Sequence, residues 1–162
     1  MTVRIGINGF GRMGRLGLRA GWGMKGVEFA QVNEIATDAT GSAHLLKFDS
    51  IHGVWREECE DDGEALIVGG QHINYSSTPT IAGNSWSGCD IVIEATGRHH
   101  KDPELLQAYF DRGVKKVIVA APTERALNIV YGINDHLYDS AEHNLVTAAS
   151  CTTNCLAPVV KV

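Results

Sequence analysis

Apolar positions along this chain follow two rhythms. Residues 3–7 and 27–33 are short apolar runs of the kind that fills a strand covered on both faces. Between them Met13, Leu16 and Ala20 recur at spacings of three and four, which predicts a helix over residues 11–22. Residues 40–48 read as a second helix. Residues 54–82 differ: the pieces AlaLeuIleVal and HisIleAsnTyr are separated by GlyGly and by Ser, Thr and Pro, which predicts small antiparallel strands. Residues 90–95 predict a buried strand. Residues 103–110 predict a helix with Pro103 near its start, where a missing N–H costs nothing. Residues 116–121, 128–131 and 144–148 predict further strands, and Ser150 suits the N-cap of a last helix. Pro158 predicts a bend or an altered turn in that helix. Strand and helix alternate throughout, without internal repeats or low-complexity tracts. An α/β fold with a largely parallel sheet is expected.

Composition narrows the function. The chain has 162 residues, 44% hydrophobic and 20% charged, with a net charge of −5. That is one domain of ordinary size with a real core. The acidic balance argues against a nucleic-acid or anionic-membrane surface, which needs clustered Lys and Arg. No apolar run reaches the roughly 18 residues of a spanning helix, and the first residues carry no apolar h-region. Cys59, Cys89, Cys151 and Cys155 show neither CxxC pairing nor zinc-type spacing. Free thiols in a reducing cytoplasm are expected. His99 and His100 are the only clustered histidines, so no metal site is expected.

Gly9, Gly11 and Gly14 form GxGxxG between the first strand and the first helix. Glycine is common here, 18 in all, so the motif draws its weight from context: Glu34 follows twenty residues past Gly14, at the end of the second strand. Gly9 permits a tight turn, Gly11 lets backbone approach a pyrophosphate, and Gly14 lets helix and strand pack closely. Glu34 can accept hydrogen bonds from a ribose and would repel a 2′-phosphate. The expected fold is a Rossmann-type, doubly wound domain with a small antiparallel insertion. The expected cofactor is NAD rather than NADP. ThrGly at 96–97 and AlaAlaPro at 120–122 end later strands, where open parallel sheets bind ligands.

Cys151 stands in the first turn of the last helix. Free N–H groups and the helix dipole there favour a thiolate, and those groups, with Thr152 or Asn154, can stabilise an oxyanion. A lone cysteine is also a common core residue, and Cys155, one turn on, is expected to be shielded in the helix. Cys59 and Cys89 read as structural.

The sequence resembles the phosphorylating glyceraldehyde-3-phosphate dehydrogenase family. The matching pieces are IleAsnGlyPheGlyArgMetGlyArg at 7–15, LysPheAspSerIleHisGly at 47–53, AlaThrGly at 95–97, AlaAlaPro at 120–122, ValTyrGlyIleAsn at 130–134 and AlaSerCysThrThrAsnCysLeuAlaPro at 149–158. The resemblance implies that Cys151 attacks an aldehyde, that hydride passes to NAD, and that phosphate releases an acyl phosphate. It implies cofactor contacts at Asn8, Gly9, Phe10, Gly11, Arg12, Met13, Asn33, Glu34, Thr96, Gly97 and Ala120. It places Ser150 and Thr152 beside the substrate or inorganic phosphate. It also implies a cytoplasmic homotetramer, with no nucleic-acid or membrane partner.

Some positions depart from the family pattern. Ala120 replaces a serine hydroxyl, Ser77 stands where a basic residue is common, and HisHis follows ThrGlyArg. Other features are similar to erythrose-4-phosphate dehydrogenase and to arsenate-linked members. The resemblance implies an NAD-binding domain over residues 1–149 and, over 150–162, the first helix of a catalytic domain that is otherwise absent. The general base and the phosphate clamps are then expected outside these residues. A non-catalytic NAD-binding or redox-sensing module is the alternative for the chain alone. A cysteine hydrolase would need a histidine partner that no motif supplies.

Overall fold

The computed structural model describes residues 2–162. In chain order its elements are β1 (Val3–Asn8), α1 (Arg12–Gly21), β2 (Val27–Asn33), α2 (Ala39–Lys47), β3 (Phe48–Asp49), β4 (Gly53–Val54), β5 (Cys59–Asp61), β6 (Ala65–Val68) and β7 (Gln71–Ser76), followed by β8 (Ile91–Glu94), α3 (Gln107–Phe110), β9 (Lys116–Val119), β10 (Leu127–Asn128), β11 (Leu145–Thr147) and α4 (Cys151–Lys161). Nine strands form one sheet in the order β10-β11-β9-β8-β1-β2-β7-β6-β5. Pairing is parallel from β10 through β7 and antiparallel from β7 to β5. The antiparallel insertion is therefore continuous with the main sheet, joined through β7 lying parallel to β2. β3 and β4 make a separate antiparallel pair.

Both sheet faces are covered, as the near-continuous apolar runs require. On one face Ile7, Phe29, Val32, Leu66 and Ile73 pack against Leu18 of α1 and Leu46 of α2. On the other, Ala30, Val92, Val117 and Val119 pack against Trp86, Leu106 and Tyr109. Successive residues of β2, such as Phe29 and Ala30, thus serve opposite cores, following the period of two.

Two elements are shorter than their patterns predict. Of residues 103–110 only Gln107–Phe110 is α-helical. The preceding stretch closes through bonds three residues apart, among them Leu106 N–H to Pro103 O at 3.2 Å and Tyr109 N–H to Leu106 O at 3.1 Å. In that tighter turn side chains three apart eclipse, which sends Leu106 and Tyr109 into the same core, both fully buried. The strand expected over 128–131 ends at Asn128 because side chains compete for its ladder. Asn134 Oδ1 accepts the Val130 N–H at 2.7 Å, and Asn134 Nδ2 donates to Asn128 O at 2.9 Å. α4 continues through Pro158 to Lys161, and none of its residues is buried.

Candidate functional site

Two neighbours of β1, β2 and β8, lie on opposite sides of it, and the chain winds away in opposite directions. Open α/β sheets bind ligands at such a switch, beyond the carboxyl ends of the strands. There the structure has a cleft of about 210 Å³, walled by Asn8, Gly9 and Gly11 after β1, by Asn33 and Glu34 after β2, and by Ala95 and Thr96 after β8.

The three motif glycines have separate reasons. Gly9 takes φ +87°, and a Cβ there would meet Thr96 N at 2.5 Å, so both conformation and space demand glycine. At Gly14 a Cβ would collide with the Gly9 carbonyl oxygen and lie 3.1 Å from Ile7 Cγ2. Gly11 is different. Its φ of −64° suits any residue, and a Cβ there would meet nothing within 4 Å. Gly11 is also the N-cap of α1, with no side-chain cap and no acidic residue in the first turn. α2 and α4, by contrast, are capped by Asp38 and Ser150. The start of α1 therefore presents N–H groups and positive dipole to open space, a fit for an anion.

The cleft floor is tied together by side chains. Glu34 Oε2 accepts the Phe10 N–H at 2.7 Å, and its Oε1 accepts the N–H groups of Ile35 and Ala36, both at 2.8 Å. Asn33 Nδ2 donates to Asn8 Oδ1 at 2.8 Å, and Asn8 Nδ2 donates to Glu94 Oε2 at 3.0 Å. Glu94 is fully buried and also accepts from Tyr109 Oη, Thr96 Oγ1 and the Thr96 N–H. Burial and the neighbouring carboxylate push the Tyr109 phenol well above its ordinary range, so it remains a donor. One carboxylate thus sets the turn after β8 that forms a cleft wall. A second hollow of about 130 Å³ adjoins the first at Ala95 and is walled by Met13, Gly97, His100 and Ala120.

Beyond the carboxyl end of β11, on the same edge of the parallel sheet as the cleft, Ala149 adopts φ 56°, a left-handed turn before α4. The Ser150 hydroxyl caps α4 by accepting the Thr153 N–H at 3.0 Å, and Cys151 follows at the first turn, exposed. Asn154 Nδ2 donates to Ala148 O and Ser150 O, at 2.8 and 2.9 Å, so its amide is engaged with the backbone rather than free for an oxyanion.

Residues 3–102 match the family described as the NAD binding domain of glyceraldehyde 3-phosphate dehydrogenase. The chain belongs to that family. It is 54% identical to glyceraldehyde-3-phosphate dehydrogenase 3 of Nostoc sp., over 100% of this chain and 49% of that protein. It is 45% identical to glyceraldehyde-3-phosphate dehydrogenase 1 of Bacillus subtilis, over 100% of this chain and 49% of that protein. The chain spans about half the length of these relatives.

NAD is the cofactor of this family's domain, and the residues fit it: an uncapped helix start, open space over Gly11, and an acidic side chain at the end of β2. Of the residues expected at the site, Asn8, Gly9, Gly11, Asn33, Glu34 and Thr96 share the cleft, while Met13, Gly97 and Ala120 share the adjoining hollow. Phe10 is a core residue, and only its backbone reaches the site, through Glu34. Ser150, Cys151 and Thr152 line neither cavity. Sequence reasoning missed Ile35, Ala36, Thr78, Pro79, Arg98 and His99, which complete the cleft walls. Arg98 and His99 directly follow the ThrGly that was legible, whereas Thr78 and Pro79 lie in an irregular stretch with no periodic signal.

Cys155 is exposed, contrary to the expectation of shielding. The helix periodicity is present, but none of the residues of α4 is buried. Cys89 is buried and Cys59 half-buried. Burial pushes Cys59 up to about 11 and raises Cys89.

The motif at 47–53 serves the same end of the domain. Asp49 Oδ1 accepts from the N–H groups of Ile51 and His52, from the His52 ring and from Arg12 Nη2 at 3.0 Å, anchoring the start of α1. Hydrogen bonds from the His52 and Ile51 backbone hold its carboxyl well below the usual range. A depressed carboxylate stabilises the fold above its unfolded value of about 4 and loses that contribution as pH falls through the folded value. Asp49→Asn is therefore expected to lower the thermal midpoint at neutral pH, with the gap to the unaltered chain narrowing below about pH 4. Unfolding scans across pH check this, and a gap independent of pH would refute the charge-based account.

Proposed function

We propose that this chain is the NAD-binding half of a phosphorylating glyceraldehyde-3-phosphate dehydrogenase and carries its nucleophile. The observation that carries the reading is the uncapped start of α1 beneath the open space at Gly11. Backbone N–H groups of Arg12 and Met13, at the uncapped start of α1, would hold the pyrophosphate. Glu34 accepts from the adenosine ribose hydroxyls, and its charge disfavours a 2′-phosphate. Thr96 and Gly97 would support the dinucleotide, and Ala120 would offer its nicotinamide side only a methyl group. NAD, when bound, supplies the hydride acceptor.

The Cys151 thiolate adds to the aldehyde carbon, giving a thiohemiacetal. A thioester would follow once the hydroxyl proton passes to a base outside the 162 residues and the hydride to the acceptor that bound NAD would supply. Inorganic phosphate then attacks the carbonyl, the C–S bond breaks, and an acyl phosphate leaves with the thiolate restored. N–H groups at the start of α4 stabilise the developing oxyanion, and Ser150 and Thr152 flank the substrate or phosphate. In this reading residues 150–162 open a catalytic domain whose base and phosphate clamps lie outside the 162 residues, and the complete enzyme is a cytoplasmic homotetramer.

A second reading applies to the chain alone. Cys151 is exposed and, among the described residues, has no histidine hydrogen-bonded to it, which favours NAD binding without turnover.

Iodoacetamide separates these readings. In the chain alone, Cys151 and Cys155 should be alkylated and Cys59 and Cys89 spared, and NAD should alter the rate at Cys151 but not at Cys155. The full-length protein should reduce NAD in the presence of glyceraldehyde 3-phosphate and phosphate, losing that activity in step with Cys151 alkylation. Erythrose 4-phosphate and arsenate in parallel assays decide the aldehyde and the oxyanion. Activity that survives complete alkylation of Cys151 would sink the nucleophile assignment.

A further inference from the structure

The hollow beside the main cleft holds one polar side chain that the protein does not use. His100 forms part of its wall with Met13, Ala95, Gly97 and Ala120, and His100 Nδ1 is buried without a hydrogen-bond partner among the described residues. The other polar side chain of that wall, Glu94, is committed to Asn8, Tyr109 and Thr96. The remaining wall is methyl groups, a thioether and backbone. Buried polar side-chain atoms nearly always have a partner, and an exception calls for an absent one. No other such atom occurs among the described residues.

The hollow meets the cleft at Ala95, which lines both. A dinucleotide whose adenosine end lay by Glu34 would extend past Ala95 into this hollow with its other riboside. Ala120, in the same wall, has only a methyl group to offer there. We propose that His100 hydrogen-bonds the nicotinamide-riboside half of NAD and sets the affinity for that half. The proposal rests on the dinucleotide reading of the cleft. An imidazole nitrogen suits the task in either tautomer, accepting from a ribose hydroxyl or donating to its oxygen. The χ2 torsion of histidine is broad, so the ring can turn its nitrogen toward the ligand at little cost.

Calorimetric titration of the chain with NAD and with ADP tests this, because ADP lacks the nicotinamide riboside. His100→Ala should weaken NAD about fivefold, the loss expected from one neutral hydrogen bond, and leave ADP unchanged. His100→Asn, which keeps a polar atom near the Nδ1 position, should recover most of the affinity. The ¹⁵N resonance of His100 Nδ1 should move on adding NAD and stay in place with ADP. Unfolding scans without ligand should show both variants still folded, with His100→Ala losing only the packing of the ring, since the orphan nitrogen makes no bond to lose. Equal weakening of NAD and ADP would reduce His100 to a structural residue and overturn the proposal. NAD affinity unchanged in His100→Ala would overturn it while leaving the dinucleotide reading intact. Failure of the unaltered chain to bind either ligand would remove that reading as well.

Discussion

Gly11→Val weakens NAD binding by about a hundredfold or more while the domain stays folded, because its side chain takes the place of the pyrophosphate and of nothing else. Valine tolerates the φ of −64° that Gly11 adopts, and its Cβ meets no protein atom within 4 Å. The folded state loses only the difference in N-cap preference between Gly and Val, so the thermal midpoint moves by no more than a few degrees. The bound state loses more. A branched side chain holds the phosphates away from the N–H groups of the first turn, and the distance-dependent attraction to the helix terminus goes with them. Titration with NAD and thermal unfolding, run on the same sample, separate the two effects. Unchanged affinity in a folded variant would mean that the pyrophosphate does not lie over Gly11.

Gly14→Ala does the opposite. The added methyl collides with the Gly9 carbonyl oxygen and crowds Ile7 Cγ2 at 3.1 Å. Neither neighbour can yield cheaply. Gly9 is held by its left-handed φ and by its N–H bond to Asn33 O at 2.9 Å, and Ile7 is fully buried in the core. The helix must move off the sheet, at a cost of roughly 3 kcal/mol or more. A chain of this size then loses roughly 6–12 °C in Tm. Calorimetric unfolding checks it, and a loss below about 1 kcal/mol would show that α1 slides freely over β1. Taken as a pair, the two variants assign one glycine of the motif to the ligand and another to the fold.

The parts of the site that were legible in the sequence obey local rules. GxGxxG sits between an apolar strand and an amphipathic helix, and Glu34 falls at the end of the next strand, so spacing alone places them together. Ser150 as a cap is equally local. Where long-range partners decide, the pattern ran out. Residues 103–110 carry a helical signal, yet Leu106 and Tyr109 must reach one core, which tightens the turn. Val130 is apolar and buried, but Asn134 takes its N–H and ends the strand. Glu94 reads as an ordinary acidic strand end. Its burial follows from Tyr109 and Asn8, residues 15 and 86 positions away. Cys155 has the spacing of a shielded helix face, and no spacing tells whether anything packs on that face.

The placement of β1 has a consequence for the order in which this domain can be built. Its first partner, β2, is made soon after it, but its second, β8, pairs Ile5 with Ile91 and Asn8 with Glu94. During synthesis from the N-terminus, one edge of the future sheet centre stays open while β2 through β7 are added. A nascent chain that has not reached Glu94 has only two of the three strand ends that wall the cleft and lacks the carboxylate that ties them. Dinucleotide binding is thus a late event in the life of each molecule, closed by its middle rather than by its glycine-rich start. Pairings of such long sequence separation fold slowly. The interval in which β1 waits for β8 is the one in which an unpaired apolar edge is offered to other chains and to chaperones.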